Sequence, residues 1–306
     1  MKAMATFIMR GRAQAAMTAT VFAVLSLILA PLSYISAAVI ALVTLRKGAY
    51  DGLYISFIAA LVMAVLAYVM LGSGVIALLF VVVVWMPVWA LAVVLRRTMH
   101  LPWSIYIAAG MACIVPIVVH WMLHDPVAWW LEQLGNIFQQ TMRESAVSAD
   151  PNDVQLMLEI LASSMTGMVA GAVFVSLICS LFLGRWWQAA LYNPGGFREE
   201  FVSLKMDRRV AIVALTIIVL AMIISQQGEL FSDLTFVVIT GCGLFGLAMV
   251  HDWVEKTRAN TAWLVAIYIM LFIVAKPVMV LLALIAISDA WMDYRRYFVK
   301  PDKMDS

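Results

Sequence analysis

The chain has 306 residues, of which 65% are hydrophobic and only 12% are charged, and its formal net charge is +2. Soluble domains carry about 25% charged residues, and a soluble fold of this size has no interior that could hide so much apolar surface. The composition therefore excludes an ordinary soluble domain. It predicts an all-α transmembrane bundle that forms a single integral membrane domain over residues 1–306.

The first long apolar run extends over residues 13–45 and contains one proline, Pro31, near its middle. A straight helix of this length would measure about 50 Å, against a hydrocarbon core of about 30 Å. Pairs of basic residues flank the run on both sides, and the positive-inside rule places both of its ends in the cytoplasm. We therefore predict two short helices that turn around Pro31.

Three more crossings are predicted before the middle of the chain, over residues 51–70, 75–95 and 102–123. Two of them contain a proline, Pro87 and Pro116. Because proline lacks the backbone N–H of a regular helix, each marks a predicted kink.

Residues 124–160 form the one long segment predicted to lie outside, with six acidic residues and one basic residue. Asp125 and Pro126 are typical of a helix start, the first as cap and the second in the first turn. Six apolar residues then recur at helical spacing, which predicts an amphipathic helix on the outer membrane surface or folded over the bundle. They are Val127, Trp130, Leu131, Leu134, Phe138 and Met142.

Asp150 and Pro151 repeat this start signal, and the helix that they begin is predicted to run unbroken into a crossing that ends near Leu183. Gly167 and Gly171 form a GxxxG pair in this crossing. Such a pair permits close contact with a neighbouring helix.

A polar stretch at residues 184–209 then separates the apolar segments, and we interpret it as a cytoplasmic connector. Crossings are predicted at 210–225 and 234–250, followed by an apolar run at 261–288 that is again too long for one straight span. This run carries Lys276 and Pro277 near its middle, and we predict a second helical hairpin there.

Charge supports this arrangement, because it places 18 of the 20 Lys and Arg residues in cytoplasmic segments, with Arg143 and Lys276 outside. A single final helix would instead leave the basic C-terminal tail, residues 292–306, on the outer side against the positive-inside rule. We predict about ten crossings, with eight or nine as the alternative, and both chain termini in the cytoplasm.

Two stretches resemble a known family. The connector contains Gly184-Arg185-Trp186-Trp187-Gln188, Asn193-Pro194-Gly195-Gly196-Phe197 and Glu200-Phe201, and the C-terminal region contains Ser288-Asp289-Ala290-Trp291-Met292-Asp293-Tyr294-Arg295-Arg296. These stretches resemble the YybS-like family of predicted bacterial multi-pass membrane proteins, a domain of unknown function. The family usually carries Gly or Leu just before the first of these aspartates, where this chain has Ile287-Ser288.

The resemblance implies a location in the bacterial cytoplasmic, or inner, membrane. The family is distantly similar to the substrate-binding subunits of energy-coupling-factor vitamin transporters and to cell-shape proteins of the MreD type. This second similarity is one of fold, and it transfers no substrate residue.

Nine residues in these two stretches are the candidate ligand or partner residues. Each also has a structural interpretation, because Asn193, Gly195 and Gly196 are typical of a turn and adjacent tryptophans are typical of an aromatic belt at the membrane interface. Near the C-terminus, an acidic group close to an apolar run should face protein, water or a basic partner. The nine are Arg185, Trp186, Trp187, Asn193, Gly195, Gly196, Asp289, Asp293 and Arg296.

For the carboxylate of Asp289 we predict a basic partner such as Arg185, in a clamp between the tail and the connector. On a continuous helix Asp289, Asp293 and Arg296 would share one face, with Asp293 and Arg296 as an ion pair. A proton or ligand site is the alternative.

The sequence contains no nucleophile elbow, Walker loop, dinucleotide fingerprint or HExxH motif, so we predict no enzyme, no cofactor and no metal site. His120 and His124 have a metal-compatible spacing but are better explained as interfacial histidines. Cys113, Cys179 and Cys242 lie in apolar runs and are predicted to be small buried residues. The basic residues are spread over inner loops, which argues against nucleic-acid binding.

Two functions from different classes remain open. The first is a membrane component that binds or transports a small molecule, because kinked and short helices often frame substrate sites. The second is a scaffold or assembly protein that docks a cytoplasmic partner through residues 184–209. The lipid bilayer is the partner that both require.

The topology predicts that reporter fusions made after Gly195 and at the C-terminus report the same, cytoplasmic, side of the membrane. A reporter that is active on opposite sides at these two points would contradict the C-terminal hairpin.

Overall fold

The structure, a computed structural model, describes residues 2–144, 151–224 and 229–297. All regular secondary structure in these ranges is helical. The α-helices are α1 (Lys2–Met9), α2 (Arg12–Leu25), α3 (Leu32–Arg46), α4 (Ala49–Leu71), α5 (Val75–Phe80), α6 (Met86–Thr98), α7 (Leu101–Met122), α8 (Pro126–Glu144), α9 (Pro151–Tyr192), α10 (Gly196–Val202), α11 (Arg208–Ile224), α12 (Glu229–Thr257), α13 (Ala262–Ile273) and α14 (Ala275–Met292).

Six helical segments in the described ranges are long and apolar enough to cross a membrane. Large apolar side chains cover their outward surfaces; Phe57 and Val65, for example, are 66% and 58% exposed. Such a surface suits hydrocarbon, so the chain is a multi-pass membrane protein and the predicted all-α transmembrane bundle is confirmed. The six segments are Ala49–Val69, Ala77–Thr98, Leu101–Met122, Asn152–Tyr192, Glu229–Thr257 and Ala275–Met292.

The first predicted hairpin is formed by α2 and α3, which are separated by a break that includes Pro31. The hydroxyl of Ser36 on α3 donates a hydrogen bond of 2.7 Å to the carbonyl of Ala19 on α2. With 14 and 15 residues, each helix is about 21–23 Å long and shorter than the hydrocarbon core. Neither is therefore long enough for a straight span, and α3 is one of the shorter apolar helices.

The predicted C-terminal hairpin is confirmed by the directions of α12, α13 and α14. Gly243 on α12 lies against Met279, and Gly246 lies against Leu282 three residues further along both helices, so α12 and α14 run parallel. On α13 the order is reversed: Trp263 contacts Trp253, and the later residue Tyr268 contacts His251. Since α13 is antiparallel to α12, it is also antiparallel to α14, and the chain reverses at Val274 between them.

Pro87 lies in the first turn of α6, directly after a π-helical turn at Val81–Trp85. Proline has no N–H to donate to the carbonyl four residues before it. The π-helical turn accommodates this missing hydrogen bond, because the N–H of Met86 donates to the carbonyl of Val81, five residues before it. The predicted irregularity at Pro87 is therefore real. The helix α7, by contrast, continues through Pro116.

The predicted outer amphipathic helix is α8, and Asp125 caps it as expected, accepting a hydrogen bond of 2.8 Å from the backbone N–H of Ala128. The indole of Trp130 donates to the hydroxyl of Thr166 at 2.9 Å, which holds the apolar face of α8 against α9. The predicted cap Asp150 lies outside the described residues.

The helix α9 has 42 residues and is about 63 Å long. It runs unbroken from the outer segment through the crossing, as predicted. It also continues nine residues beyond Leu183 to Tyr192, so the first part of the predicted connector is helical. Good helix-forming residues follow Gly184, and the first helix-breaking sequence is the turn at Asn193.

The predicted close contact at Gly167 and Gly171 joins α9 to α12. A Cβ atom on Gly167 would lie 3.1 Å from the Cα of Asp233, and one on Gly171 would lie 2.6 Å from the ring of Phe236. These distances leave no room for a side chain, so the small residues let the two helix backbones approach.

The bundle has two unlike ends. At one end, which we call the basic face, ion pairs and hydrogen bonds connect Arg12, Arg96, Arg185, Arg198, Lys205 and Arg295 to neighbouring elements. The opposite end, which we call the acidic face, carries α8, the start of α9 and the start of α12.

We predict that Gly246→Ala destabilises the protein strongly, because its Cβ would lie well inside van der Waals contact of the Leu282 carbonyl. Overpacking of this kind costs about 1–3 kcal/mol. The measurement is the unfolding temperature of the purified protein in detergent. The matched control is Gly110→Ala, also in a helix, where nothing lies within 4 Å of the new Cβ. Equal unfolding temperatures of the two variants would contradict the proposed packing.

Candidate functional site

The connector residues are largely bonded to the protein itself. The guanidinium of Arg185 forms a two-pronged ion pair with the carboxylate of Glu200 on α10, with Nε to Oε2 at 2.9 Å. It also donates to the side-chain oxygen of Gln188 at 2.6 Å. Arg185 therefore ties the end of α9 to α10.

Asn193, Gly195 and Gly196 form the predicted turn between α9 and α10. The backbone N–H of Gly196 donates to the carbonyl of Asn193 at 3.0 Å. Gly195 has φ of +94°, a backbone conformation that a residue with a side chain adopts only with strain. These residues reverse the chain, and the structural interpretation accounts for them.

The two adjacent tryptophans lie in different surroundings, because neighbouring residues of a helix point about 100° apart. Trp186 is 40% exposed, as an interfacial residue would be, whereas Trp187 is fully buried among the helices. The prediction that both belong to an aromatic belt was therefore wrong for Trp187.

A buried charge cluster joins the C-terminal segment to the rest of the basic face. The guanidinium of Arg295 lies 3.6 Å from the carboxylate of Asp289 and 3.5 Å from that of Asp252 on α12. All three side chains are at most 12% exposed. Arg295 also donates to the carbonyls of Val202, the last residue of α10, and of Leu204, which follows it.

The predicted clamp between tail and connector is thus present, but its partners differ from those expected. Asp289 pairs with Arg295, and the prediction of Arg185 was wrong because Glu200 already satisfies that guanidinium. Sequence spacing could not distinguish these two arginines.

Asp293 and Arg296 form the predicted ion pair, at 2.5 Å, but not on a continuous helix. The helix α14 ends at Met292, and Asp293 adopts a left-handed conformation with φ of 50°. The predicted common helical face of Asp289, Asp293 and Arg296 was therefore wrong. Lys205 of the connector forms a second ion pair with Asp293, at 2.6 Å.

Hydrogen bonds from Lys205 and Arg296 lower the pKa of Asp293 below its ordinary value of 3.8. A lowered pKa means that the pairing favours the fold above the ordinary carboxyl pKa and is lost as the pH falls through the lowered value. The contact between tail and connector is thus fully formed at neutral pH.

A different region, which the sequence did not single out, contains a cleft of about 720 Å³ between α9, α11, α12 and α14. It follows α12 from Glu229 to Ile239, a depth of about 15 Å from the start of that helix at the acidic face. We call it the outer cleft. Its polar and charged lining residues are Ser163, Ser164, Glu229, Ser232, Asp233, Thr235 and Lys276.

Asp233 is the central acidic group of the outer cleft, and it is only 4% exposed. Behind it, on α7, the Nε2 atom of His120 lies 3.8 Å from the Asp233 carboxylate, too far for a hydrogen bond. The other ring nitrogen, Nδ1, lies 3.0 Å from the carbonyl of Pro116, so it carries a proton and donates. Nε2 is therefore the ring nitrogen that faces Asp233.

Lys276 is exposed at the start of α14, just after the chain reversal, as the hairpin prediction requires. Its side chain lines the outer cleft together with Glu229 and Asp233, a role that sequence analysis missed. His124 is exposed and does not form a site with His120. Within the described ranges, no three His, Cys, Asp or Glu side chains are grouped so that they could hold a metal ion.

Comparisons with known proteins give no family: no family model, curated protein or solved structure matches this chain. The resemblance of the connector and the C-terminal region to the YybS-like family stays a prediction.

We predict that Arg295→Ala destabilises the fold by about 3–5 kcal/mol, because it leaves the buried carboxylate of Asp289 without its cation, although Asp252 keeps its ion pair with Lys256. The control is Arg296→Ala, whose side chain is 79% exposed and whose partner Asp293 keeps Lys205. The control is expected to cost at most about 1 kcal/mol. Unfolding temperatures in detergent measure both, and similar shifts would refute a buried clamp.

Proposed function

We propose that the protein binds a small charged solute in the outer cleft, as a step in moving that solute across the membrane. The observation that supports this most directly is the buried carboxylate of Asp233, which lines a cleft of about 720 Å³ within a membrane-spanning helix. Ligand sites in proteins typically measure about 300–1,000 Å³.

The burial of the Asp233 carboxylate argues for function over packing. Asp233 is the fifth residue of α12, about 6 Å from the start of that helix, and at 4% exposure its carboxylate is largely removed from water, which is costly without a charged partner. The ring of His120 lies 3.8 Å away, and a histidine ring offsets the charge only when it is protonated. The carboxylates of the Arg295 cluster, by contrast, face a guanidinium, which is charged at neutral pH.

The lining of the outer cleft defines the class of solute. Asp233 and Glu229 suit a positively charged group, Lys276 suits a carboxylate or phosphate, and the serine hydroxyls can bind either. A zwitterionic metabolite, with an amine and an acid group, uses all of these residues.

The scaffold alternative has less support in the geometry. Arg185, Trp187 and Asn193, three of its candidate residues, are engaged within the protein by Glu200, by burial and by the turn. A partner protein would find Trp186, Asn193 and Arg198 of the connector exposed.

The test is solute binding to the full chain in lipid nanodiscs, with a panel of amino acids, short peptides, polyamines and organic acids. A bound solute at 100 times its dissociation constant stabilises the fold by about 2.7 kcal/mol, which raises the unfolding temperature measurably. We expect zwitterionic solutes to stabilise the wild-type protein.

Asp233→Asn and Lys276→Gln are each expected to weaken the binding of that solute by at least about tenfold, the loss of one charged hydrogen bond. The control is Glu132→Gln, an exposed acidic residue of α8 outside the cleft. The proposal fails if no zwitterion stabilises the wild-type protein, or if Asp233→Asn binds as tightly as Glu132→Gln.

A further inference from the structure

A second concave site lies at the basic face, between α1, the end of α9 and α10. This groove has a volume of about 510 Å³, and its lining includes two basic residues and three aromatic residues: Lys2, Arg198, Trp186, Phe197 and Phe201. We call it the interfacial groove. It shares no residue with the outer cleft, so its role is independent of the proposed function.

The interfacial groove opens at the level where the bilayer meets water. The apolar part of α9 ends at Gly184, Arg185 follows, and Trp186 is 40% exposed at the edge of the groove. Tryptophan favours the headgroup region of a membrane, where its ring is in an apolar setting and its N–H is in a polar one. The groove is therefore positioned beside the lipid headgroups of the leaflet at the basic face.

The floor of the groove is apolar and well supported. The rings of Phe197 and Phe201 pack edge-on against Phe182 of α9, with centroids 5.4 Å and 5.9 Å apart. Ala189 and Ala190 add small apolar surfaces beside them. A hydrocarbon chain would match this floor, whereas a free polar solute would not.

The charged groups of the groove have one sign. Lys2 and Arg198 line it, and no carboxylate appears among its described lining residues. The nearest acidic partner is Glu255 on α12, whose Oε2 lies 3.4 Å from the Nε of Arg198. That contact uses the Nε atom, at one edge of the Arg198 guanidinium, and the Arg198 side chain is 73% exposed. The terminal nitrogens of a guanidinium are the groups that bind phosphate oxygens.

We infer that the interfacial groove binds one anionic phospholipid of the leaflet at the basic face. The phosphate lies between Lys2 and Arg198, and an acyl chain covers Phe197 and Phe201. Basic pockets between helices at the membrane surface recognise anionic headgroups in this way. Each basic residue near such a surface strengthens the binding of an anionic lipid about fivefold, so the pair accounts for a preference of about 20- to 30-fold over a zwitterionic lipid.

The test is native mass spectrometry of the delipidated full chain, titrated with phosphatidylglycerol or with phosphatidylcholine of the same acyl chains. We expect one phosphatidylglycerol to bind about 20-fold more tightly than phosphatidylcholine. The double variant Lys2→Gln/Arg198→Gln is expected to lose this preference. The matched control is Lys47→Gln/Arg97→Gln, which removes two exposed cations that do not line the groove.

A second measurement does not depend on the folding of the charge variants. Phosphatidylglycerol with brominated chains quenches nearby tryptophans, so it should quench the wild-type protein more than Trp186→Phe, after correction for the ten remaining tryptophans. Phosphatidylcholine with the same bromine label should show no such difference.

Three outcomes would overturn the inference. The first is equal affinity for the two lipids, and the second is an equal loss of preference in the test and control double variants, which would indicate a general effect of charge. The third is displacement of phosphatidylglycerol by millimolar inorganic phosphate, which would identify a site for a soluble anion.

Discussion

The close contact between α12 and α14 governs the arrangement of the second half of the protein. Gly246 packs directly on the backbone of Leu282 and Gly243 lies against Met279, so the two helices run parallel and α13 must return between them. The same contact fixes both ends of α14. At one end it places Lys276 in the outer cleft with Asp233, and at the other it places Asp289 and Arg295 beside Asp252.

The charged side chains at the two ends of the bundle have different surroundings. At the basic face, carboxylates meet guanidinium or ammonium groups at distances of ion pairs, as with Arg185 and Glu200 or Lys256 and Asp252. In the outer cleft, Asp233, Glu229 and Lys276 line a space of about 720 Å³. Paired charges hold elements together, and charges that surround a cleft are available to a ligand. This contrast is why we assign the structural role to the basic face and solute binding to the outer cleft.

The sequence predicted those features that depend on local patterns. Runs too long for one span, flanked by basic residues, indicated both hairpins; Asp125 and Pro126 indicated the start of α8; and the pair Gly167 and Gly171 indicated a close helix contact. It failed where the answer depends on residues far apart in the chain. His120 and Asp233 meet only because α7 and α12 pack together, and the choice of Arg295 over Arg185 as partner of Asp289 depends on where Glu200 lies. The burial of Trp187 was missed for the same reason.

The walls of the outer cleft differ in how firmly they are held, and this bears on how the proposed solute would enter. The walls formed by α9, α12 and α14 are joined by glycine contacts and, at the basic face, by the Arg295 cluster. The fourth wall, α11, buries mainly the small residues Ala211, Ala214 and Ala221, while Met222 beside the cleft is 76% exposed. Because α11 buries so little apolar surface, its movement disrupts less packing than movement of the other walls. If the protein has the proposed function, a path for the solute past α11 would leave intact the α12–α14 contact on which both Asp233 and Lys276 depend for their positions.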